Sequence, residues 1–105
     1  MAGSWTALTN QPSFNGNHMM LLTDGTVLVQ ELASANWHKL SPDSLGSYVN
    51  GTWTVLATGP NGPTYYASAV LIDGRVFIAG GEDNFGNNGV DINACEIYDP
   101  VANSV

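Results

Sequence analysis

A pattern that recurs at a fixed spacing constrains the fold of this chain more than any other feature. Residues 18–29 and 67–78 both read as an apolar run, an Asp-Gly pair and a second apolar run, and the Asp-Gly pairs end at Gly25 and Gly74, 49 residues apart. Trp5 and Trp53 recur at nearly the same spacing, each within a short β-prone segment. Repeats of this length are typical of solenoids, propellers and other arrays in which each unit packs on its neighbours. The chain is therefore predicted to contain two copies of one structural unit.

Each unit is predicted to contain four short strands, which makes the fold all-β. Asp-Gly between β-prone runs is a strong hairpin signal, and we expect type I′ turns, in which both central residues have positive φ. No stretch carries the i, i+3, i+4, i+7 apolar spacing of an amphipathic helix. The Asn- and Gly-rich stretch 82–91, which the first unit lacks, is predicted to be a loop. The predicted strands are a (18–23 and 67–72), b (26–31 and 75–80), c (36–40 and 94–98) and d (52–57, with 4–9).

Two short motifs in the second unit indicate its family. Strand b ends in the doublet Gly80-Gly81, and strand c ends in Tyr98-Asp99-Pro100. In these motifs the second unit resembles a kelch repeat, whereas the first is degenerate, with Gln30-Glu31 and Leu40-Ser41-Pro42 at the corresponding places. Kelch units of about 50 residues build the four-stranded blades of β-propellers. The resemblance therefore implies two propeller blades.

The order of the strands predicts an assembly of copies. We assign residues 10–57 to a first blade and 58–105 to a second blade that lacks its outer strand, with residues 1–9 as an outer strand that completes a blade of another copy. Because propellers typically need 4 to 8 blades to close, a homotrimer with six blades and exchanged N-terminal strands is favoured over a dimer or a tetramer. The alternative is that the chain is a fragment of a longer kelch propeller. The residues expected to close the blades are Trp5, Ala7, Leu8, Ile97 and Tyr98.

The charge balance excludes some partners. The chain has two basic residues against nine acidic ones, for a formal net charge of -7. Binding to nucleic acid or to an anionic membrane needs clustered Lys and Arg, so neither is an expected partner. The sequence predicts no transmembrane segment and no signal peptide, because it lacks both a long apolar run and a basic start followed by an apolar stretch. It does not indicate a compartment.

The candidate ligand residues come from the loops between strands b and c and between strands d and a. The kelch resemblance implies that these loops share one face and bind ligands there. Aromatic rings beside amides and carboxylates suit carbohydrates, although Asn and Gly are also ordinary turn formers. The candidates are Asn15, Asn17, His18, Glu31, Asn61, Tyr65, Glu82, Asp83, Asn84 and Phe85.

Catalysis and metal binding are less favoured. Kelch propellers include copper oxidases of the galactose oxidase type, but His18, His38, Tyr65, Tyr66 and Cys95 match none of that family's ligand motifs. Residues 83–91 lack the spacing of an EF-hand, which argues against calcium. The sequence therefore predicts a non-enzymatic, lectin-like binding module without metal or cofactor, whose ligand is a carbohydrate or a protein. The alternative from another class is a structural or protein-interaction propeller.

Overall fold

Two antiparallel sheets and one small accessory sheet make up the computed structural model, which describes residues 2–83 and 89–105. None of these residues is helical, and no helix in this part of the chain is therefore long and apolar enough to cross a membrane. The strands are β1 (Gly16–Leu21), β2 (Val27–Glu31), β3 (Trp37–Ser41), β4 (Thr52–Val55), β5 (Pro63–Thr64), β6 (Ala67–Val70), β7 (Val76–Ala79), β8 (Glu82–Asp83), β9 (Val90–Asp91) and β10 (Cys95–Tyr98).

The two larger sheets follow the repeat. The first sheet has the order β1-β2-β3-β4, and the second has the order β10-β7-β6. Strands a, b and c therefore form in both units, and strand d forms in the first unit. The predicted strand at 4–9 does not form within this chain, since residues 2–8 have no regular structure and the side chain of Trp5 is fully exposed. Its pairing with another copy stays a prediction.

The hairpins form as expected, but the predicted type I′ turns are wrong. In the first hairpin, Leu22 N donates to Thr26 O at 2.8 Å and closes a three-residue loop. Gly25 has a φ of 81°, whereas the φ of Asp24 is negative, which is the arrangement of a turn followed by a glycine bulge. Asp24 Oδ1 accepts hydrogen bonds from the backbone N and the hydroxyl of Thr26. The turn at Gly74 is built in the same way.

The insertion at 82–91 is not simply a loop. Its two ends form β8 and β9, which pair with β5 in a small sheet of order β5-β8-β9. Gly81 makes this pairing possible, because its φ of 93° turns the chain out of β7 and a Cβ at this position would lie 2.5 Å from Thr64 O. The second glycine of the doublet is thus required by a close backbone approach. Residues 84–88 of the insertion lie outside the described residues.

The core lies between the two larger sheets. Paired residues in neighbouring antiparallel strands point to the same face, so each sheet has an inner face toward its neighbour and an outer face. The inner faces bury one hydrophobic cluster. Leu28 and Trp37 of the first sheet, with Leu22 and Leu56 just after its strands, pack there with Val76, Ile78 and Tyr98 of the second sheet.

Both outer faces are apolar and partly open. On the first sheet, Met19 is 66% exposed and Leu21 is 63% exposed, while Ile97 on the second is 41% exposed. By the strand pairing, the outer face of the first sheet comprises Met19, Leu21, Val27, Val29, His38, Leu40, Trp53 and Val55. The outer face of the second sheet comprises Ala67, Ala69, Phe77, Ala79, Cys95 and Ile97.

Candidate binding face

The antiparallel strands bring most of the predicted ligand residues to one end of the molecule. We call this the loop end, and it comprises residues 14–17, 31–37, 58–66, 80–83 and 89–95. The Asp-Gly turns lie at the opposite, turn end. Asn84 and Phe85, two of the predicted residues, lie outside the described part of the chain. The ligand role of the remaining candidates stays a prediction.

Three candidates meet at the start of β1. Asn15 O accepts a hydrogen bond from Leu32 N at 2.8 Å, and Asn17 Nδ2 donates to Gln30 Oε1 at 3.3 Å. Gly16, between these two asparagines, is opposite Glu31 in the β1–β2 pairing. Asn15, Asn17 and Glu31 are therefore neighbours, although they are far apart in sequence.

Glu31 and His18 are held in different ways. The side chain of Asn36 donates to Glu31 Oε2 at 3.0 Å, and His38 Nε2 lies 3.3 Å from the same oxygen. The hydrogen bond from Asn36, followed by that from His38, lowers the pKa of the Glu31 carboxyl. His18 instead points between the two sheets, where its Nε2 lies 2.9 Å from Ser68 Oγ and its ring contacts Tyr66 edge-on. Glu31 thus stays a charged acceptor at the loop end, whereas His18 joins the two sheets.

Three buried polar side chains fix the connection between the two sheets. Gln30 is fully buried, and its Nε2 donates to Pro63 O at 2.7 Å. Asp83, 3% exposed, accepts from Gly62 N through Oδ1, and Glu96, 8% exposed, accepts from the Asn61 side chain. A buried polar group is costly unless it is hydrogen-bonded, so these three bonds resist displacement of residues 61–63. We call residues 61–63, anchored in this way, the platform at the loop end.

Tyr65 is the side chain that this platform displays. It follows the fixed segment directly, it is 89% exposed, and its φ is 56°. A bulky residue with positive φ is uncommon and costs roughly 1–2 kcal/mol, and such strain clusters at functional sites. The chain therefore holds an aromatic ring toward solvent in a conformation that glycine would adopt without strain.

Two buried polar atoms below the connection have no hydrogen-bond partner among the described residues, namely Tyr66 Oη and Glu96 Oε2. Burial raises the pKa of the Tyr66 hydroxyl, and the charge of Glu96 raises it further. The hydroxyl therefore stays protonated and can act as a donor. Gly59 accommodates the carboxylate closely, since a Cβ there would lie 3.0 Å from Glu96 Oε2.

Gln30 and Glu96 are two functional residues that were not predicted from the sequence. The strand pairing aligns Gln30 with Ala79 and not with the glycine doublet, so Gln30 is a polar residue within a predicted strand, and Glu96 is a charged residue within another. Each of these polar residues could have been recognised from the sequence, because a polar side chain in a strand that packs on both faces needs a hydrogen-bond partner. Without the fold, nothing indicated that both partners belong to the same connection.

A cavity of about 460 Å³ at the turn end was also not predicted. Asp24, Asp73 and Asp99 line it, together with Arg75. Arg75 is committed to Asp73, with Nη2 2.8 Å from Oδ2, and Asp24 and Asp99 accept backbone or hydroxyl hydrogen bonds of their own turns. The acidic side chains therefore stabilise the turns to which they belong.

The donors considered for copper do not converge. His18 points between the sheets, His38 lies on the outer face of the first sheet and stacks on Phe14, and Cys95 lies on the outer face of the second. Within residues 2–83 and 89–105, no three His, Cys, Asp or Glu side chains are placed to hold a metal ion. The residues do not fit a copper centre of the galactose oxidase type, and we derive no chemistry through one.

The residues predicted to close the blades lie apart within this chain. Trp5 and Ala7 are exposed, and Leu8 lines a cavity on the outer face of the first sheet. Ile97 and Tyr98 belong to β10, which is one of the two edge strands of the second sheet. Contact between these two groups in neighbouring copies stays a prediction.

Comparison with known proteins identifies the second repeat. Residues 63–104, which contain the accessory-sheet strands and all of the second sheet, match the family model of the kelch motif. This segment is a kelch motif. The resemblance seen in the sequence is thereby confirmed over that range, and the kelch motif includes Pro63, Tyr65 and β10. No curated protein matches the chain.

A solved structure shares the fold that contains the kelch motif. It is described as a novel fungal alcohol oxidase with catalytic diversity among the AA5 family, in complex with copper, and it matches with a TM-score of 0.63 at 24% identity. The match covers 95% of this chain and 19% of that chain. At this identity the similarity shows the fold alone. Together with the kelch motif, it shows that the two larger sheets are blades of the β-propeller type.

Proposed function

We propose that this chain is a non-enzymatic binding module made of kelch blades, and that its loop end binds a carbohydrate. The observation that carries the proposal is the exposed ring of Tyr65, strained at positive φ and held on a connection fixed by three buried polar side chains. A ring whose backbone is already fixed binds at a lower entropic cost than one on a mobile loop. The strain is retained because the position serves binding rather than stability.

The chemistry around Tyr65 supports a sugar as the ligand. An aromatic face stacks on the C–H groups of a pyranose, while amides and carboxylates bond its hydroxyls directionally. Glu31 supplies a carboxylate whose pKa is lowered, and Asn15 and Asn17 stand beside it at the same end. The predicted ligand residues thus combine one ring with several polar side chains.

Substitution of Tyr65 by glycine should separate binding from stability. We expect glycan binding to weaken about tenfold or more through loss of the ring. The free energy of unfolding should rise by about 0.5–1 kcal/mol, because relief of the strained φ outweighs the entropy that glycine adds to the unfolded chain. A glycan array followed by titration calorimetry measures the first effect, and urea unfolding measures the second.

The matched control for Tyr65→Gly is Ile72→Ala, which removes a fully exposed apolar side chain at the turn end. It should leave glycan binding unchanged. Undiminished binding by Tyr65→Gly would place the site elsewhere. A wild-type protein that binds no glycan on the array at high concentration would contradict the carbohydrate proposal and favour the alternative, a propeller whose ligand is another protein.

We also propose that three copies form a closed ring of six blades. Support comes from the edge position of β10 and from residues 2–8, which pair with no strand of their own chain and carry the exposed Trp5. Segment 4–9 of each copy would add to the free edge of β10 of the next copy, since edge strands readily accept another strand. Three sites per ring would strengthen binding to clustered glycans.

The solution mass tests the ring. One chain has a mass of 11.1 kDa, and three would give about 33 kDa. Light scattering or native mass spectrometry should report the larger value. A protein that stays near 11 kDa at all accessible concentrations would overturn the ring, and it would favour the alternative in which these blades belong to a longer kelch propeller.

A further inference from the structure

The contact between the two sheets obeys the same repeat as the sequence. The 49-residue offset places Val29 of the outer face of the first sheet over Ile78 of the inner face of the second. It also places Leu28 of the inner face of the first sheet over Phe77 of the outer face of the second. The two outer faces are therefore equivalent to the two faces already in contact within the chain. Applied once more, the same operation would stack the outer face of the second sheet on the outer face of another first sheet.

The sizes of the side chains on the two outer faces are complementary. In the contact within the chain, the row His18, Gln30 and Trp37 is bulky, and it packs opposite a row that begins with the small Ser68. On the outer face of the second sheet, the equivalent row is Ala67, Ala79 and Cys95.

The opposing outer face compensates for this loss of volume. Where the inner face of the second sheet has Ser68, the outer face of the first sheet has Met19. Phe14 also adds its ring there, stacked on His38 with ring centroids 3.6 Å apart. Small side chains on one outer face therefore complement large ones on the other, which is the condition for close packing between them.

One large side chain on the outer face of the second sheet has a matching space. A cavity of about 400 Å³ lies on the outer face of the first sheet, between Val27, Val29 and Trp53 and the N-terminal residues Leu8, Pro12 and Phe14. Within the chain, Leu28 lies in one cluster with Val76 and Ile78, which are the repeat equivalents of Val27 and Val29. The same stacking would place Phe77 of a second copy over Val27 and Val29. The cavity lies at this position, and a phenyl ring needs more room than a leucine side chain.

We infer that the outer face of the first sheet binds the outer face of the second sheet of a second copy, in the register of the contact within the chain and with Phe77 of that copy in the cavity. This inference rests on the proposed ring, and it names the surfaces that hold it together. The interface is heterologous, because two different patches meet. Each copy therefore presents one surface of each kind.

Two double variants test the inference by blocking one surface each. Met19→Asp with Leu21→Asp blocks the outer face of the first sheet, and Ala69→Asp with Ile97→Asp blocks that of the second. All four side chains are exposed in the single chain, so each variant should keep its fold, which circular dichroism would verify. Each variant alone should fail to form the ring. An equimolar mixture should form a 1:1 dimer of about 22 kDa, twice the mass of one chain, because each variant retains one intact surface.

The control is Ile72→Asp with Val101→Asp, which places two charges on exposed apolar residues at the turn end. It should assemble as the wild type does. If either double variant still forms the ring, or if the mixture yields no dimer, the inference is wrong, whereas the proposed ring is not contradicted. A monomeric wild type would overturn the inference together with the ring, while the binding test on Tyr65 would be unaffected.

Discussion

Replacement of Gly81 by alanine should destabilise the protein by about 3 kcal/mol or more, since the change combines a disfavoured φ with a backbone clash. The φ of Gly81 is 93°, and the added Cβ would lie 2.5 Å from Thr64 O and 3.0 Å from Tyr66 Cβ. Thr64 and Tyr66 flank Tyr65, so relief of the clash must displace the platform that carries the ring. Thermal or urea unfolding measures the loss of stability, and the same displacement should reduce glycan binding.

Gly25→Ala is the matched control for Gly81→Ala. Gly25 has a similar φ of 81°, but a Cβ at this position would meet no atom within 4 Å. We expect a loss of about 1 kcal/mol from the backbone conformation alone. Equal destabilisation by the two variants would mean that the close approach of β7 to Thr64 contributes nothing.

Leu28→Ala should lower the free energy of unfolding by about 2–5 kcal/mol, through lost hydrophobic transfer and the cavity left behind. Leu28 is fully buried in the cluster between the two sheets, together with Val76 and Ile78. The variant therefore weakens the contact between the two blades as well as the packing of one sheet. Urea unfolding monitored by tryptophan fluorescence is suitable, because Trp37 belongs to the same cluster.

Leu21→Ala provides the comparison for Leu28→Ala, since it makes the same chemical change on the opposite face of the same sheet. Leu21 is 63% exposed in the single chain, so we expect an effect within about 0.5 kcal/mol on the monomer. Both variants are best measured in the monomeric background of Ala69→Asp with Ile97→Asp. A similar loss for Leu21 and Leu28 in that background would contradict the position of the core between the sheets.

The repeat made most of the strands predictable. Asp-Gly pairs, apolar runs and the Gly-Gly doublet are local signals, and the strands next to them formed within a few residues of their expected bounds. The turn type was not predictable from the same residues, because Asp-Gly fits both a two-residue loop and the three-residue loop that Leu22 and Thr26 close. The pairing of β8 with β5 depends on Gly81 and a partner 18 residues away, and composition carries no such information.

The sequence predicted at which end of the molecule the candidate residues lie, but not the contacts that hold them there. Propeller topology sufficed to place Asn15, Glu31, Asn61 and Tyr65 at one end. The strained φ of Tyr65 and the burial of Asp83 depend on contacts between segments that are distant in sequence. Such contacts follow from the packing of two sheets, and the local pattern of each segment does not contain them.

Both repeats contribute residues to the position of Tyr65. The tyrosine belongs to the kelch motif, yet Gln30, which holds Pro63, belongs to the degenerate repeat and stands where the second repeat has Ala79, whose side chain has no hydrogen-bond donor. Duplicating the more regular repeat would thus produce a chain with better motifs and a looser platform. The departure of the first repeat from the motif therefore has a structural role, and neither repeat can replace the other.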